Sequence, residues 1–176
     1  MTSLLFRRIG AYVLDIAALF TVLAPLGFAL SRALGLDRGA VTPGGVYLAL
    51  VLNFSLPVWT YFTLADASAG GATLGKRLLG LRTETQDGAR PGLARAFSRT
   101  AVKLAPWETV HLAAFGLAAL GAAEGVQWAG MGLAYLAMAV YMGVAWRSGG
   151  AQSVHDWVAS TRVARADRQP VSVPLA

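Results

Sequence analysis

The chain has 176 residues, 56% of them hydrophobic and only 14% charged, against about 45–50% and about 25% in an ordinary globular domain. A soluble domain of this size has too little interior to hide several long uncharged runs, so a conventional cytosolic enzyme is excluded. The absence of cysteine removes disulfide frameworks, thiolate zinc sites, iron–sulfur clusters and cysteine nucleophiles. The net charge of +6 has to be read from where the basic residues fall before it implies a partner.

Bilayer hydrocarbon asks for roughly 20 mostly apolar residues per helical span. The first such run covers residues 9–30, follows Arg7 and Arg8, and is interrupted only by Asp15. It is too long for the apolar core of a signal peptide and lacks a clean small-residue cleavage pattern, so it reads as a retained span. No lipidation motif accompanies it. The second run, residues 45–65, contains Asn53 and Pro57, and the proline predicts a kink or a local opening of the helix. Asn53 is of the type that bonds between helices, and Asp66 at the end of the run reads as an interfacial cap.

Residues 66–105 form the one long polar stretch. Gly70-Gly71-Ala72-Thr73-Leu74-Gly75-Lys76-Arg77 imitates a phosphate-binding loop, but Arg77 stands where the motif needs Ser or Thr for magnesium. A glycine-permitted turn leading into a basic segment at the headgroup layer is the preferred reading. Leu81–Thr85 alternates as a short strand, with Gln86-Asp87-Gly88 as the turn of a small β-hairpin. After Pro91, Leu93, Ala96, Phe97 and Val102 interleave with Arg95, Arg99 and Lys103, the pattern of an amphipathic helix lying on the membrane or presenting a solvated basic face.

A third span over residues 105–123 is short and uncharged after Glu108, which reads as another interfacial cap, with His111 as an interhelical hydrogen-bonding group. The fourth covers 126–146, with Trp128 and Trp146 placed for opposite headgroup layers. Four spans put all of the 15 basic residues except Arg32 and Arg38 on one side, which the positive-inside rule makes the cytoplasm and which leaves both termini there. Basic residues so placed imply anionic lipid headgroups as the partner, not nucleic acid. The fold class expected is an all-α membrane protein, a four-transmembrane-helix bundle with a cytoplasmic amphipathic loop. The transmembrane domain occupies 1–165 and a disordered tail 166–176.

An aspartate at membrane depth costs about 2.5–3.5 kcal/mol on insertion scales, so Asp15 needs a partner or a wet cavity. Arg8 is the nearest cation in sequence, seven residues away on the same helix face, with a rise of roughly 10 Å between the two backbones. Two roles stay open for Asp15: a polar lock between helices, or a carboxylate that takes up a proton or cation. Near the end of the chain, Ser153-Val154-His155-Asp156 suits a capping box better than a hydrolase triad, whose members come from separate segments.

Three stretches resemble the RDD family of bacterial membrane proteins, named for one arginine and two aspartates. They are Arg8-Ile9-Gly10-Ala11-Tyr12-Val13-Leu14-Asp15, Thr73-Leu74-Gly75-Lys76-Arg77-Leu78-Leu79-Gly80-Leu81-Arg82, and His155-Asp156-Trp157-Val158-Ala159-Ser160-Thr161-Arg162-Val163. The resemblance makes Arg8, Asp15 and Asp156 the naming residues, supported by Thr73, Gly75, Lys76, His155 and Thr161, and it implies that Asp156 folds back under the helices. The closing motif usually has glycine before its threonine, where Ser160 stands here. The family implies the bacterial inner membrane and a suggested transport role, including exchange of monovalent cations for protons. The leading expectation is therefore a small transporter using Asp15, Arg8 and Asp156, with a homodimer supplying the path. The alternative is a non-catalytic scaffold that binds a partner or anionic lipid through its basic face. No nucleophile–base pair, metal cluster or cofactor motif supports an enzyme.

Overall fold

A computed structural model describes residues 2–33 and 42–166. Helix α1 (Thr2–Ala33) is followed by α2 (Pro43–Leu50), a π-helical turn (Val51–Ser55) and α3 (Leu56–Ala67), which together form one continuous rod. Thr42 caps this rod, accepting the Gly45 N–H, and Pro43 opens it, where its missing N–H costs nothing. The widened turn lies just before Pro57, as the proline predicts: Leu56 N–H reaches back five residues to the Val51 carbonyl.

Beyond α3 come α4 (Leu74–Leu78), β1 (Leu81–Thr85) and α5 (Leu93–His111). A second π-helical turn (Leu112–Gly116) carries α5 into α6 (Leu117–Ala119), after which α7 (Glu124–Arg147), α8 (Val154–Val158) and β2 (Thr161–Arg165) complete the described chain. Three helices are long and apolar enough to cross a membrane: Leu4–Ala33, Pro43–Ala67 and Glu124–Arg147. Their outer faces carry Phe20, Phe28, Leu52, Leu136 and Trp128 exposed, the surface that hydrocarbon would cover.

The expected third span is not of this kind. It is the continuation of the expected amphipathic helix, and the two form a single element from residue 93 to 119. The face of α5 that bears Arg99 and Thr100 is buried in the protein rather than spread over headgroups, because α5 packs between α3 and α7.

The strand at Leu81–Thr85 and its turn at Gly88 form where expected, but the hairpin does not. The chain leaves the turn into α5, and β1 pairs antiparallel with β2 instead, Thr83 opposite Val163 and Glu84 opposite Arg162. One face of this two-stranded sheet packs Leu81 and Val163 against Ala11 of α1 with Leu4 and Leu79 at the margin, a small apolar core beneath the helices. We call this end, built from α4, β1, α8 and β2, the cap. The expected disordered tail lies outside the described residues, apart from Ala166, whose N–H still bonds the Gly80 carbonyl.

Two glycines let the cap grip α1. A side chain at Gly75 would run into the backbone carbonyl of Ala11, and one at Gly150 would meet the Leu5 backbone at 2.5 Å. Gly150 also has φ of +93°, a conformation that glycine adopts without steric cost.

Candidate functional site: a buried charge network beneath the helices

Asp15 sits near the middle of α1, 1% exposed, and its neighbours are not the ones its sequence position suggests. Arg8 turns away from it. The carboxylate accepts hydrogen bonds from the Tyr61 hydroxyl (2.7 Å), the Thr73 hydroxyl (2.6 Å) and the Gly75 N–H (2.7 Å). Tyr61 in turn accepts the Leu74 N–H at 2.9 Å, and Thr73 caps α4 by accepting the Lys76 N–H. The glycine-rich segment that imitates a phosphate loop thus presents the Gly75 amide and the Thr73 hydroxyl to the protein's own carboxylate. No ion pair involves Asp15 among the described residues; helix-terminal amide and hydroxyls satisfy its charge.

Asp66, Arg99 and Asp156 form the centre of the network and are almost completely buried. Arg99 bridges the two aspartates, pairing with Asp66 through Nη1 and with Asp156 through Nε at 2.8 Å. Lys76 Nζ donates to Asp66 at 2.5 Å and to the Thr83 hydroxyl at 2.7 Å. On the other side, Arg8 pairs with Asp156, donates to His155 Nε2 at 2.7 Å and reaches the Gly150 carbonyl at 3.1 Å. The Ser153 N–H at 2.8 Å and the Thr161 hydroxyl at 3.3 Å complete the shell of Asp156. Asp156 also closes the capping box at the start of α8.

Every residue of the expected site therefore takes part, but in two groups. Asp15, Thr73 and Gly75 form one; Arg8, His155, Asp156 and Thr161 form the other; Lys76, Asp66 and Arg99 connect them. Sequence reasoning treated Asp66 as an interfacial cap and Arg99 as a basic surface residue. The only signal for Arg99 was its place on the helix face of Ala96, Thr100 and Lys103, which periodicity alone does not mark as buried.

The electrostatics follow from burial and pairing. Burial favours the neutral carboxyl of Asp156, but Arg99 and Arg8 outweigh it and hold the group well below the usual carboxylate range. Burial works against the Arg99 cation, and the two aspartates again win, raising it above its ordinary value. For Lys76 burial wins in spite of Asp66 and brings it down to about 8. Burial also pushes His155 well below its ordinary value, in keeping with a neutral ring that accepts the Arg8 proton at Nε2.

This network has to be set beside known proteins. A model of the RDD family matches residues 2–160. The chain belongs to the RDD family. It is accordingly a membrane protein, and the three naming residues of this RDD protein, Arg8, Asp15 and Asp156, all lie in the buried network. Among curated proteins and among solved structures, none matches the chain.

A cavity of about 370 Å³ adjoins the network, bordered by α1, α5 and α7 and reached by Arg8, Lys76, Arg99 and Lys103. Further along α5 lies a smaller polar group, in which Glu108 accepts from the Ser55 hydroxyl (2.8 Å) and the Trp59 indole (3.0 Å), with His111 at 3.6 Å. Among the described residues no group of three His, Cys, Asp or Glu side chains is arranged to hold a metal ion.

Proposed function

We propose that this RDD protein is a non-catalytic scaffold of the bacterial inner membrane, crossing it four times with both termini and the cap in the cytoplasm, and that it works by binding anionic lipid. The observation that carries this reading is the charge balance of the network. Arg8, Lys76, Arg99 and Lys103 face Asp15, Asp66 and Asp156, and the carboxylates take their hydrogen bonds from protein donors. A monovalent cation arriving at Asp15 would have to displace Tyr61, Thr73 or the Gly75 amide, donors that already satisfy the carboxylate.

In this reading the naming residues act as a lock. Arg8 and Asp15 lie on the first helix, and each is held by a different half of the cap, so the network fixes the cap in register beneath the helices. Buried ion pairs serve well as such specificity devices even where they add little net stability. A four-crossing threading keeps the basic face of the cap on the cytoplasmic side, where each Lys or Arg near anionic lipid is worth about 1 kcal/mol. A lock of this kind works within one chain and needs no dimer.

The test is reconstitution of the purified protein in proteoliposomes with an internal pH dye. Sodium, lithium and potassium gradients are expected to drive no proton movement above that of empty vesicles. Cation-dependent flux that disappears in Asp15→Asn would overturn the scaffold reading in favour of exchange at Asp15.

A further inference from the structure

Lys103 is the one cation facing the network with no ion pair and no hydrogen-bond acceptor among the described residues, although Asp66 and Asp15 act on it through space. Its ammonium rests on aromatic faces instead, 3.3 Å from the ring centroid of Phe62 and 4.6 Å from that of Tyr12. Such contacts soften the loss of water but do not neutralise a charge. Burial, then Lys76 and Arg99, push Lys103 well below the ordinary lysine range against the pull of Asp66 and Asp15, so a bound anion would favour its charged form. A second group in the same cavity is also unsatisfied. His155 accepts at Nε2, which leaves the proton on Nδ1, and Nδ1 is buried without a partner.

The rest of the cavity is different in kind. Ile9, Pro106, Trp107, Met138 and Met142 make its wall predominantly apolar. A small hydrated ion would have no use for such a wall, and a hydrocarbon chain alone would leave Lys103 and His155 unpaired at a cost. A molecule with an anionic head and an apolar chain meets both demands, and a volume of about 370 Å³ falls in the range of roughly 300–1,000 Å³ typical of small-molecule sites.

We propose that the cavity between α1, α5 and α7 is a binding site for one anionic phospholipid, its phosphate on the Lys103 ammonium and an acyl chain along Trp107, Met138 and Met142. This rests on the lipid-binding reading above and gives it a location. Lysine is a suitable phosphate partner as a compact point charge, and the bound phosphate supplies the ion pair that Lys103 otherwise lacks. The basic outer face of the cap then gathers anionic lipid, and the cavity retains one molecule of it.

Native mass spectrometry of the purified protein after incubation with phosphatidylglycerol or phosphatidylcholine tests this directly. Wild type is expected to retain one phosphatidylglycerol and to prefer it at least tenfold over phosphatidylcholine. Lys103→Gln should lose that preference and Lys103→Arg should keep it, with a melting curve in lipid-free detergent confirming that both variants are folded. Equal retention of the two lipids by wild type, or unchanged preference in a folded Lys103→Gln, overturns the site. Should inorganic phosphate alone displace the lipid at low millimolar concentration, the site is one for free phosphate and the lipid proposal fails. If Lys103→Gln is silent but Arg95→Gln on the exposed face of α5 weakens phosphatidylglycerol retention, the cavity proposal fails while the lipid-binding scaffold survives.

Discussion

The network beneath the helices and the Glu108 group further along α5 solve the same problem in different ways. Both satisfy carboxylates with partners from other segments of the protein. In the network, Asp66 and Asp156 share Arg99 and each has a further cation, Lys76 or Arg8. Glu108 relies on a hydroxyl and an indole, with the His111 ring 3.6 Å away, and it remains a quarter exposed at the side chain. The first arrangement ties together seven elements of the chain, from α1 to β2. The second joins only the rod of α2 and α3 to α5, and it does so beside both π-helical turns, where the backbone is already widened. Ion pairs are used where distant segments must be held in one arrangement, and neutral hydrogen bonds suffice where two helices already pack.

The sharpest way to break this contrast is at Arg99. Arg99→Met leaves Asp66 and Asp156 buried without their shared cation, and removing one partner of a buried pair costs about 3–5 kcal/mol. Ser55→Ala at Glu108 should cost about 1 kcal/mol, the scale of an interhelical hydrogen bond. Melting curves in one detergent would compare the two, and equal losses would mean that the network is not the stronger tie.

Acidification should also separate the regions. His155 is held neutral in the fold, below its ordinary value of 6.5, so the unfolded state binds the extra proton and stability falls as pH drops below about 6.5. Asp156 is held ionised, below its ordinary value of 3.8. Its contribution is complete above the ordinary carboxylate range and is lost as pH falls below it. His155→Gln is expected to remove the first decline in melting temperature and keep the second. A wild-type profile flat from pH 7 to 5 would contradict the neutral buried ring.

The smallest effect concerns Ser160, which has φ of +52° in the turn between α8 and β2. A left-handed conformation costs a residue with a β-carbon roughly 1–2 kcal/mol, so Ser160→Gly should raise the stability of the cap by about 1 kcal/mol, read as a higher melting temperature. A fall would show that the Ser160 side chain makes a compensating contact.

Ser160 also illustrates how much was legible beforehand. Its departure from the usual glycine was visible in the sequence, but that the turn keeps a left-handed φ of +52° there is seen only in the structure. The capping box at Ser153 and Asp156 and the strand at Leu81–Thr85 were legible too, because each depends on residues within a few positions of one another. The pairing of Asp15 was not. Arg8 was the nearest cation in sequence, yet the carboxylate is served by Tyr61, Thr73 and the Gly75 amide, more than forty residues away. The hairpin expectation failed for the same reason: local alternation identifies a strand but not its partner, and β2 lies eighty residues further on, Leu81 opposite Arg165 at one end of the ladder.

The sequence by itself determined that this is a membrane protein, that Pro57 disturbs the second apolar rod, and that Arg8, Asp15 and Asp156 matter together. Hydrophobic run length, backbone chemistry and motif content are local quantities, and a linear reading captures them. Only the tertiary structure decided that Arg99 and Asp66 join those residues, that Lys103 is left over, and that α5 is one helix with a buried polar face. Those facts depend on which helix packs against which. Compensation of buried charge is a property of the assembled interior, where a cation from α5 and aspartates from α3 and α8 meet at distances that no spacing in the sequence records.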